Sequence, residues 1–271
     1  MTCSHRGFAL LAVLWLVTAL AVLSSLALEV ARVGLEASNN RILLARAEWA
    51  REACIDILLG RFSRNGVITQ LDSVDLGRST WCGADVRDAG DRLNANFASP
   101  DLLRKAIGAV LPDTDQRDSV FRAIVDRRTG APLVDDSELA SLPCSDSLSA
   151  ARLAVVLTTR GLGKVNVNAA SPHVLGLLPG MTEAAIDAVV RRRSSGHDVQ
   201  NLDDLAAELA EQPREILLAA SSELRAGATF VPAAFVARVH GSVGRTPIRA
   251  RVTLMLIPEG RRLAVVRRET E

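Results

Sequence analysis

MTCSHRGFALLAVLWLVTALAVLSSLAL, residues 1–28, is the stretch that decides the fold. Met1 to Gly7 are polar and carry Arg6, and Phe8 to Leu28 then run for 21 residues without a charge. At about 1.5 Å per residue that is roughly 32 Å of helix, enough to cross the hydrocarbon core of a bilayer. Charges resume at Glu29 and Arg32 with no turn signal between. A membrane helix is therefore expected to run straight on into a water-exposed helix. Arg6 and His5 keep the short leader cytoplasmic by the positive-inside rule, so the bulk of the chain lies on the far side of the membrane.

Working outward, residues 29–62 keep helical periodicity. Ile42, Ala45, Trp49, Ala53 and Ile57 recur at three- and four-residue spacing and predict one apolar stripe, with Glu36, Arg41, Arg46, Glu48, Arg51, Glu52 and Asp56 on the other faces. Gly60 and Ser63-Arg64-Asn65-Gly66 stop the pattern. From Phe8 to Phe62 one rod would reach about 80 Å. Gly34 costs about 1 kcal/mol inside a helix, so the alternatives are a bent rod or two helices joined there.

Residues 67–91 are mixed, with Val67-Ile68-Thr69 and Thr80-Trp81-Cys82 expected as short strands. A pattern then occurs twice, RLNANFASPDLL at 92–103 and KVNVNAASPHVL at 164–175, which points to a duplicated unit or shared local structure. Ser99 and Ser171 are N-caps with Pro100 and Pro172 at the first helical position, so a helix starts at each. The first copy predicts helices over 101–111 and 114–127, with a further short one from Ser137. The second leads through Leu178-Pro179-Gly180-Met181 to a helix from Thr182 to Arg193, and Asn201-Leu202-Asp203-Asp204-Leu205 opens another. The block resembles a helix-hairpin-helix of the NVNTAS–LPG type. Residues 230–243, 247–257 and 262–268 change to a strand-like pattern rich in Val, Ile, Ala and Arg, separated by Gly241–Gly244 and Pro258-Glu259-Gly260. They predict a three-stranded antiparallel meander with Arg238, Arg249, Arg251, Arg267 and Arg268 on its solvated face.

A net charge of +1 leaves no global footprint for nucleic acid, and 3% aromatics without Tyr argue against a platform for sugars or bases. Of four cysteines, Cys3 falls in the leader and Cys54 in the long helix. Cys82 and Cys144 lie outside any CxxC spacing, which argues against zinc. On the oxidising side of a bacterial inner membrane a Cys82–Cys144 disulfide is expected, two buried free thiols being the alternative. The four His residues support no catalytic thiol, and no phosphate loop, Ser/His/Asp arrangement or metal-ligand cluster suggests an enzyme.

The first 28 residues admit three readings: a secretory signal peptide cut near Ser25-Leu26-Ala27, an uncleaved signal anchor, or a class III leader. Arg6-Gly7-Phe8, with the apolar run starting directly after Gly7, resembles the class III leader of type IV pilins and type II secretion pseudopilins. With the long helix, the NVNAAS–LPG insert and the closing sheet, almost the whole chain resembles the minor pseudopilin K family of type II secretion. The resemblance implies an α+β fold: a pilin-like long N-terminal helix, a C-terminal antiparallel sheet, and a large inserted helical domain with helix-hairpin-helix or SAM-like units. It divides the chain into a leader (1–7), a transmembrane segment (8–28), a periplasmic helix (29–66), the first part of the pilin-like domain (67–91), the insert (92–225) and the sheet (226–271). It implies cleavage by a prepilin peptidase between Gly7 and Phe8, N-methylation of Phe8, and a single-pass inner-membrane protein with a cytoplasmic N-terminus and a periplasmic domain. The partners it implies are the I and J minor pseudopilins, other pseudopilins and secreted cargo, with no nucleic acid.

Counting Phe8 as the first mature residue, the fifth is Ala12, where most pilins carry Glu. In the family that carboxylate is held to neutralise the N-terminal amine of the subunit ahead. A buried charge without a partner costs several kcal/mol, so an apolar Ala12 fits a tip subunit with nothing ahead of it. The family also commonly carries calcium-binding acidic loops. Here Asp113, Asp115 and Asp118, and Asp135, Asp136 and Glu138, are weak calcium candidates beside solvated loops, because no EF-hand spacing is present. The rival function is a membrane-anchored helix-hairpin-helix DNA-binding protein of competence type. Its hairpins usually read LPGIG, whereas Met181-Thr182-Glu183 follows Gly180 here and sets an acidic residue at the phosphate position. Arg191, Arg192 and Arg193 read as a solvated helix end favoured by the helix dipole.

Overall fold

The computed structural model describes residues 6–66, 70–142, 146–244 and 247–270, and of residues 6–10 and 12 the backbone only. Helix α1 (Arg6–Asn65) runs 60 residues without a break, about 90 Å at its ordinary rise. It passes straight through Gly34, so the choice between one rod and two helices falls to one rod. Good helix formers on both sides (Leu35, Glu36, Ala31 and Arg32) offset the glycine's cost. The helix ends where Gly66, at φ +67°, donates its amide to the Phe62 carbonyl at 2.7 Å.

Strands β1 (Leu71–Gly77) and β2 (Thr80–Asp88) form a hairpin whose two turn residues, Arg78 and Ser79, both have left-handed φ. That pairing of left-handed residues suits the twist of a two-residue hairpin. The expected strand at Val67-Ile68-Thr69 lies outside the described residues.

The helical insert follows. Its first unit holds β3 (Leu93–Asn94), α2 (Pro100–Val110), α3 (Thr114–Gly130), a 3-10 turn (Asp136–Ser141), α4 (Ser147–Val156) and β4 (Leu157–Thr158). Its second holds β5 (Val165–Asn166), α5 (Pro172–Leu175), α6 (Glu183–Ser194), α7 (Leu202–Ala207), α8 (Glu211–Ala219), α9 (Ser221–Gly227) and β6 (Ala228–Thr229). The chain closes with β7 (Phe235–Val243), β8 (Ile248–Glu259) and β9 (Arg262–Thr270).

The principal sheet is antiparallel in the order β1-β2-β7-β8-β9. The insert is thus spliced between two strands that are neighbours in space, β2 and β7, which pair from Thr80↔Val243 to Asp88↔Phe235. Cys54, Ile55, Leu58 and Phe62 of α1 pack on this sheet against Leu71, Cys82, Ala84, Val239, Val252 and Leu254. The insert has its own core, centred on Leu93, Leu103, Ile107, Leu153, Leu175, Val189 and Leu205.

The repeated motif becomes repeated structure. Ser99 and Ser171 cap their helices, accepting from the amides of Leu102 and Val174. In each copy the first Asn turns the chain: Asn94 Oδ1 accepts from the Asn96 amide at 2.8 Å, and Asn166 Oδ1 from the Asn168 amide at 3.0 Å. In each copy the second Asn clamps a later segment in both directions. Asn96 donates to the Leu133 carbonyl (2.8 Å) and accepts from its amide (3.1 Å); Asn168 does the same at Val199 (2.8 and 2.9 Å). Each unit closes as its opening strand pairs in parallel with its last, β3 with β4 and β5 with β6.

One expectation is corrected. The stripe that α1 buries is Ala47, Ala50, Cys54, Ile55, Leu58 and Phe62, whereas Ile42, Ala45 and Trp49 are exposed and Ala53 and Ile57 half-buried. The helix contacts the sheet through small residues because it sits very close. A Cβ added at Gly241 of β7 would fall 2.1 Å from the Ala47 carbonyl oxygen and 2.5 Å from the Arg51 amide nitrogen. Bulky Trp49 and Ile42 have no room on that face.

Candidate functional site

The first candidate is the free part of α1. No residue of its apolar window is buried within the chain, and Trp15 is 75% exposed. Each uncovered Leu or Val forgoes about 1.5–3 kcal/mol of transfer energy, so this stretch requires an apolar surrounding. The hydroxyls within it are self-satisfied: Thr18 donates to the Leu14 carbonyl at 3.0 Å and Ser25 to the Val22 carbonyl at 2.8 Å. Such back-bonding is what a hydrocarbon surrounding demands of polar groups. Beyond Leu28 the helix stands clear of the globular part through Ile42, roughly 21 Å more, and Leu43 is the first side chain to pack on the sheet, beside Val243 and Ala250. Val30, Val33, Leu35, Ile42, Leu44 and, further on, Trp49 (64%) remain exposed among Glu29, Arg32, Glu36 and Arg41. Gly7 and Phe8 lie in the first turns of α1, but their side chains, like that of Ala12, are outside the described ones.

The second candidate is the joint between insert and sheet. Arg160 bridges Asp135 at 2.8 Å and Glu269 of β9 at 2.9 Å. Arg92 pairs with Asp136 at 3.2 Å, and Arg127 pairs with Glu138. The Ser137 amide, and then the Arg160 guanidinium against some burial, hold the Asp135 carboxyl down at about 2. Burial pushes Asp136 up, but the Thr159 amide (2.7 Å), the Arg92 charge and the Thr159 and Thr158 hydroxyls leave it below its ordinary value. The Val134 and Asp135 amides lower Glu138. These three calcium candidates are therefore arginine partners and turn caps. Asp113 caps α3 by accepting from the Gln116 amide at 2.8 Å, and Asp115 and Asp118 are exposed on that helix. Among the described residues no three His, Cys, Asp or Glu side chains form a group that could hold a metal ion.

The third candidate is the hairpin turn at Gly180. Its φ of +74° and its packing explain the glycine: a Cβ would meet the Ala220 side chain at 2.8 Å and the Ile216 carbonyl at 3.2 Å. The turn is thus covered by α8. The Met181 and Thr182 amides bond within the turn, to Leu178 and Gly180, so they do not form an open cradle for a phosphate. Nor are all three arginines solvated, as the sequence suggested. Arg191 is exposed, but Arg192 pairs with Asp204 (2.8 Å) and Glu208 (3.0 Å), and Arg193 donates to the Ala170 carbonyl at 2.6 Å. On the sheet, Arg238, Arg249 and Arg251 are exposed as expected; Arg268, though partly exposed, lies on the helix side and pairs with Glu52 of α1, and Arg267 is half-buried and donates to Val134 at 2.7 Å.

Cys82 is a free, buried thiol. Its thiol neighbour is Cys54 of α1, and Cys144 lies outside the described residues. Sequence reasoning treated Cys54 only as a helix residue. The signal available was its place on a stripe of small residues, which becomes visible once the helix face is known.

Neither a protein-family model nor a curated protein sequence matches this chain. A chain in the crystal structure of the GspK-GspI-GspJ complex from the enterotoxigenic Escherichia coli type 2 secretion system aligns with 89% of this chain and 98% of its own length, at a TM-score of 0.58 and 14% identity. The two chains share a fold. What is shared at that identity is the backbone path: the long N-terminal helix, the antiparallel sheet and the helical insert.

Proposed function

We propose that this protein is a minor pseudopilin of a type II secretion system, capping the tip of its pseudopilus. The observation that carries this reading is the combination of a long helix, uncovered from Val13 to Ile42, with a sheet widened by a helical insert of two units between β2 and β7. The uncovered helix suits two successive apolar surroundings. Before assembly it spans the inner membrane, N-terminus in the cytoplasm and globular part in the periplasm. After assembly it packs into the filament core against the helices of other pseudopilins, where Ile42, Leu44 and Trp49 find cover. The insert makes the head too wide for a further subunit to add ahead of it.

On this reading a prepilin peptidase cuts between Gly7 and Phe8, Phe8 is N-methylated, and Ala12 replaces the family's carboxylate because no amine lies ahead. The I and J minor pseudopilins join it to start assembly, and secreted cargo meets the tip. The role is structural, with no catalytic step. The fold shared with a chain of the GspK-GspI-GspJ complex supports this assignment. Deleting the gene in its own host tests it. Exoproteins should accumulate in the periplasm and fall to background in the medium; undiminished export would overturn the proposal.

A further inference from the structure

We propose that Cys54 and Cys82 form a disulfide that staples the docked half of α1 to the sheet. This rests on the reading above in one respect, that the globular part lies on the oxidising side of the membrane.

The geometry comes from Gly241. Cys82 of β2 stands directly across from Gly241 of β7 in the ladder. At Gly241 the α1 backbone comes within a would-be Cβ contact of Ala47 and Arg51, far closer than side-chain-mediated packing permits. Cys54 lies one turn beyond Ala50 on the same buried stripe. A disulfide needs Cα atoms about 4.4–6.8 Å apart, which calls for a close helix–sheet approach such as this one. Both side chains are fully buried in one apolar cluster. Within it each thiol is near enough to perturb the ionisation of the other.

The reaction is thiol–disulfide exchange with a periplasmic oxidant bearing a reactive disulfide. One cysteine thiolate attacks that disulfide to give a mixed disulfide, releasing one oxidant thiolate. The second cysteine then attacks the mixed disulfide at the protein sulfur. The S–S bond forms between Cys54 and Cys82, and the oxidant leaves as a dithiol carrying the two electrons and two protons. Burial pushes both folded thiols above their ordinary pKa, Cys54 further because of its Cys82 neighbour. A protonated, buried thiol is a poor nucleophile, so the exchange precedes docking of the helix, and the closed core then protects the bond. The staple sits where pulling force would pass from the membrane helix into the head.

The test uses the full-length, unfused chain in a Cys3→Ser background, so that the count of thiols does not depend on the fate of the leader, and a separate fusion of the same chain to alkaline phosphatase, assayed for activity only, reports the oxidising side. Cells are quenched in acid, and the protein is denatured without reductant and labelled with a polyethylene glycol maleimide. One label is expected, on Cys144, and none in the Cys144→Ala variant. Reductant should restore three and two labels, and a digest should contain a Cys54–Cys82 linked peptide. An active phosphatase with two labels in Cys144→Ala would overturn the staple and leave the topology standing, as would a Cys82–Cys144 peptide. An inactive phosphatase with two labels would overturn both. Denatured labelling makes each result independent of whether the variants fold.

Discussion

Gly241 is the residue on which the head's attachment to its helix depends. A methyl group there must displace backbone atoms of α1, the Ala47 carbonyl at 2.1 Å and the Arg51 amide at 2.5 Å, which cannot rotate away as a side chain would. Overpacking of a rigid contact costs typically 1–3 kcal/mol and sometimes more, so Gly241→Ala should lose about 3 kcal/mol in denaturant unfolding of the detergent-solubilised protein. An unchanged midpoint would contradict the close approach. Asp135 makes a prediction about pH. Its folded pKa of about 2 lies below the ordinary 3.8, so the folded chain binds fewer protons than the unfolded one between those values. Its contribution is complete above pH 3.8 and is lost as pH falls towards 2. The side chain is 37% exposed, and screening reduces the contribution to about 1 kcal/mol. The stability difference between wild type and Asp135→Asn should therefore close over that window; a difference that persisted to pH 2 would argue against the depressed value.

Among elements, the two Asn-turn units carry the insert. Asn96 and Asn168 each hold a distant strand-like segment by both its amide and its carbonyl, at Leu133 and at Val199. Replacing either by Ala strands those backbone groups, so Asn96→Ala and Asn168→Ala should each cost about 2 kcal/mol in thermal or denaturant unfolding. Asn168→Ala should cost the more, because Asn168 also donates to Phe230 at 2.7 Å. Equal wild-type stability in both would make the repeat a coincidence of sequence. Much at this scale was legible. Ser99-Pro100 and Ser171-Pro172 announce helix starts by local chemistry, and Thr182 and Asn201 likewise cap α6 and α7. The buried face of α1 was not legible. Apolar periodicity favours large side chains, so it selected Ile42 and Trp49, whereas contact at a glycine selects small ones, Ala47, Ala50 and Cys54. The acidic runs were ambiguous for a different reason. Clustered carboxylates read alike whether they serve a cation or arginines, and Arg92, Arg127 and Arg160 are 44, 11 and 25 positions away from the residues they neutralise.

At the scale of the whole molecule, the sheet is completed only after the insert has been made, since β2 waits for β7 across two helical units. No local pattern encodes that pairing; alternation in β7 to β9 predicts strands but not their neighbour. The apolar half of α1, by contrast, was legible in 28 residues as a helix long and apolar enough to cross a membrane, because a bilayer asks only for length and an absence of charge. On the proposed function its uncovered surface passes from lipid to a partner assembly, and the way its N-terminus is prepared for that passage is the central claim. The direct measurement is the intact mass and N-terminal sequence of the membrane-extracted protein after co-expression with a prepilin peptidase. A product that begins with methylated Phe8 is the predicted result. A product that keeps Met1, or one cut near Ala27, would contradict the account.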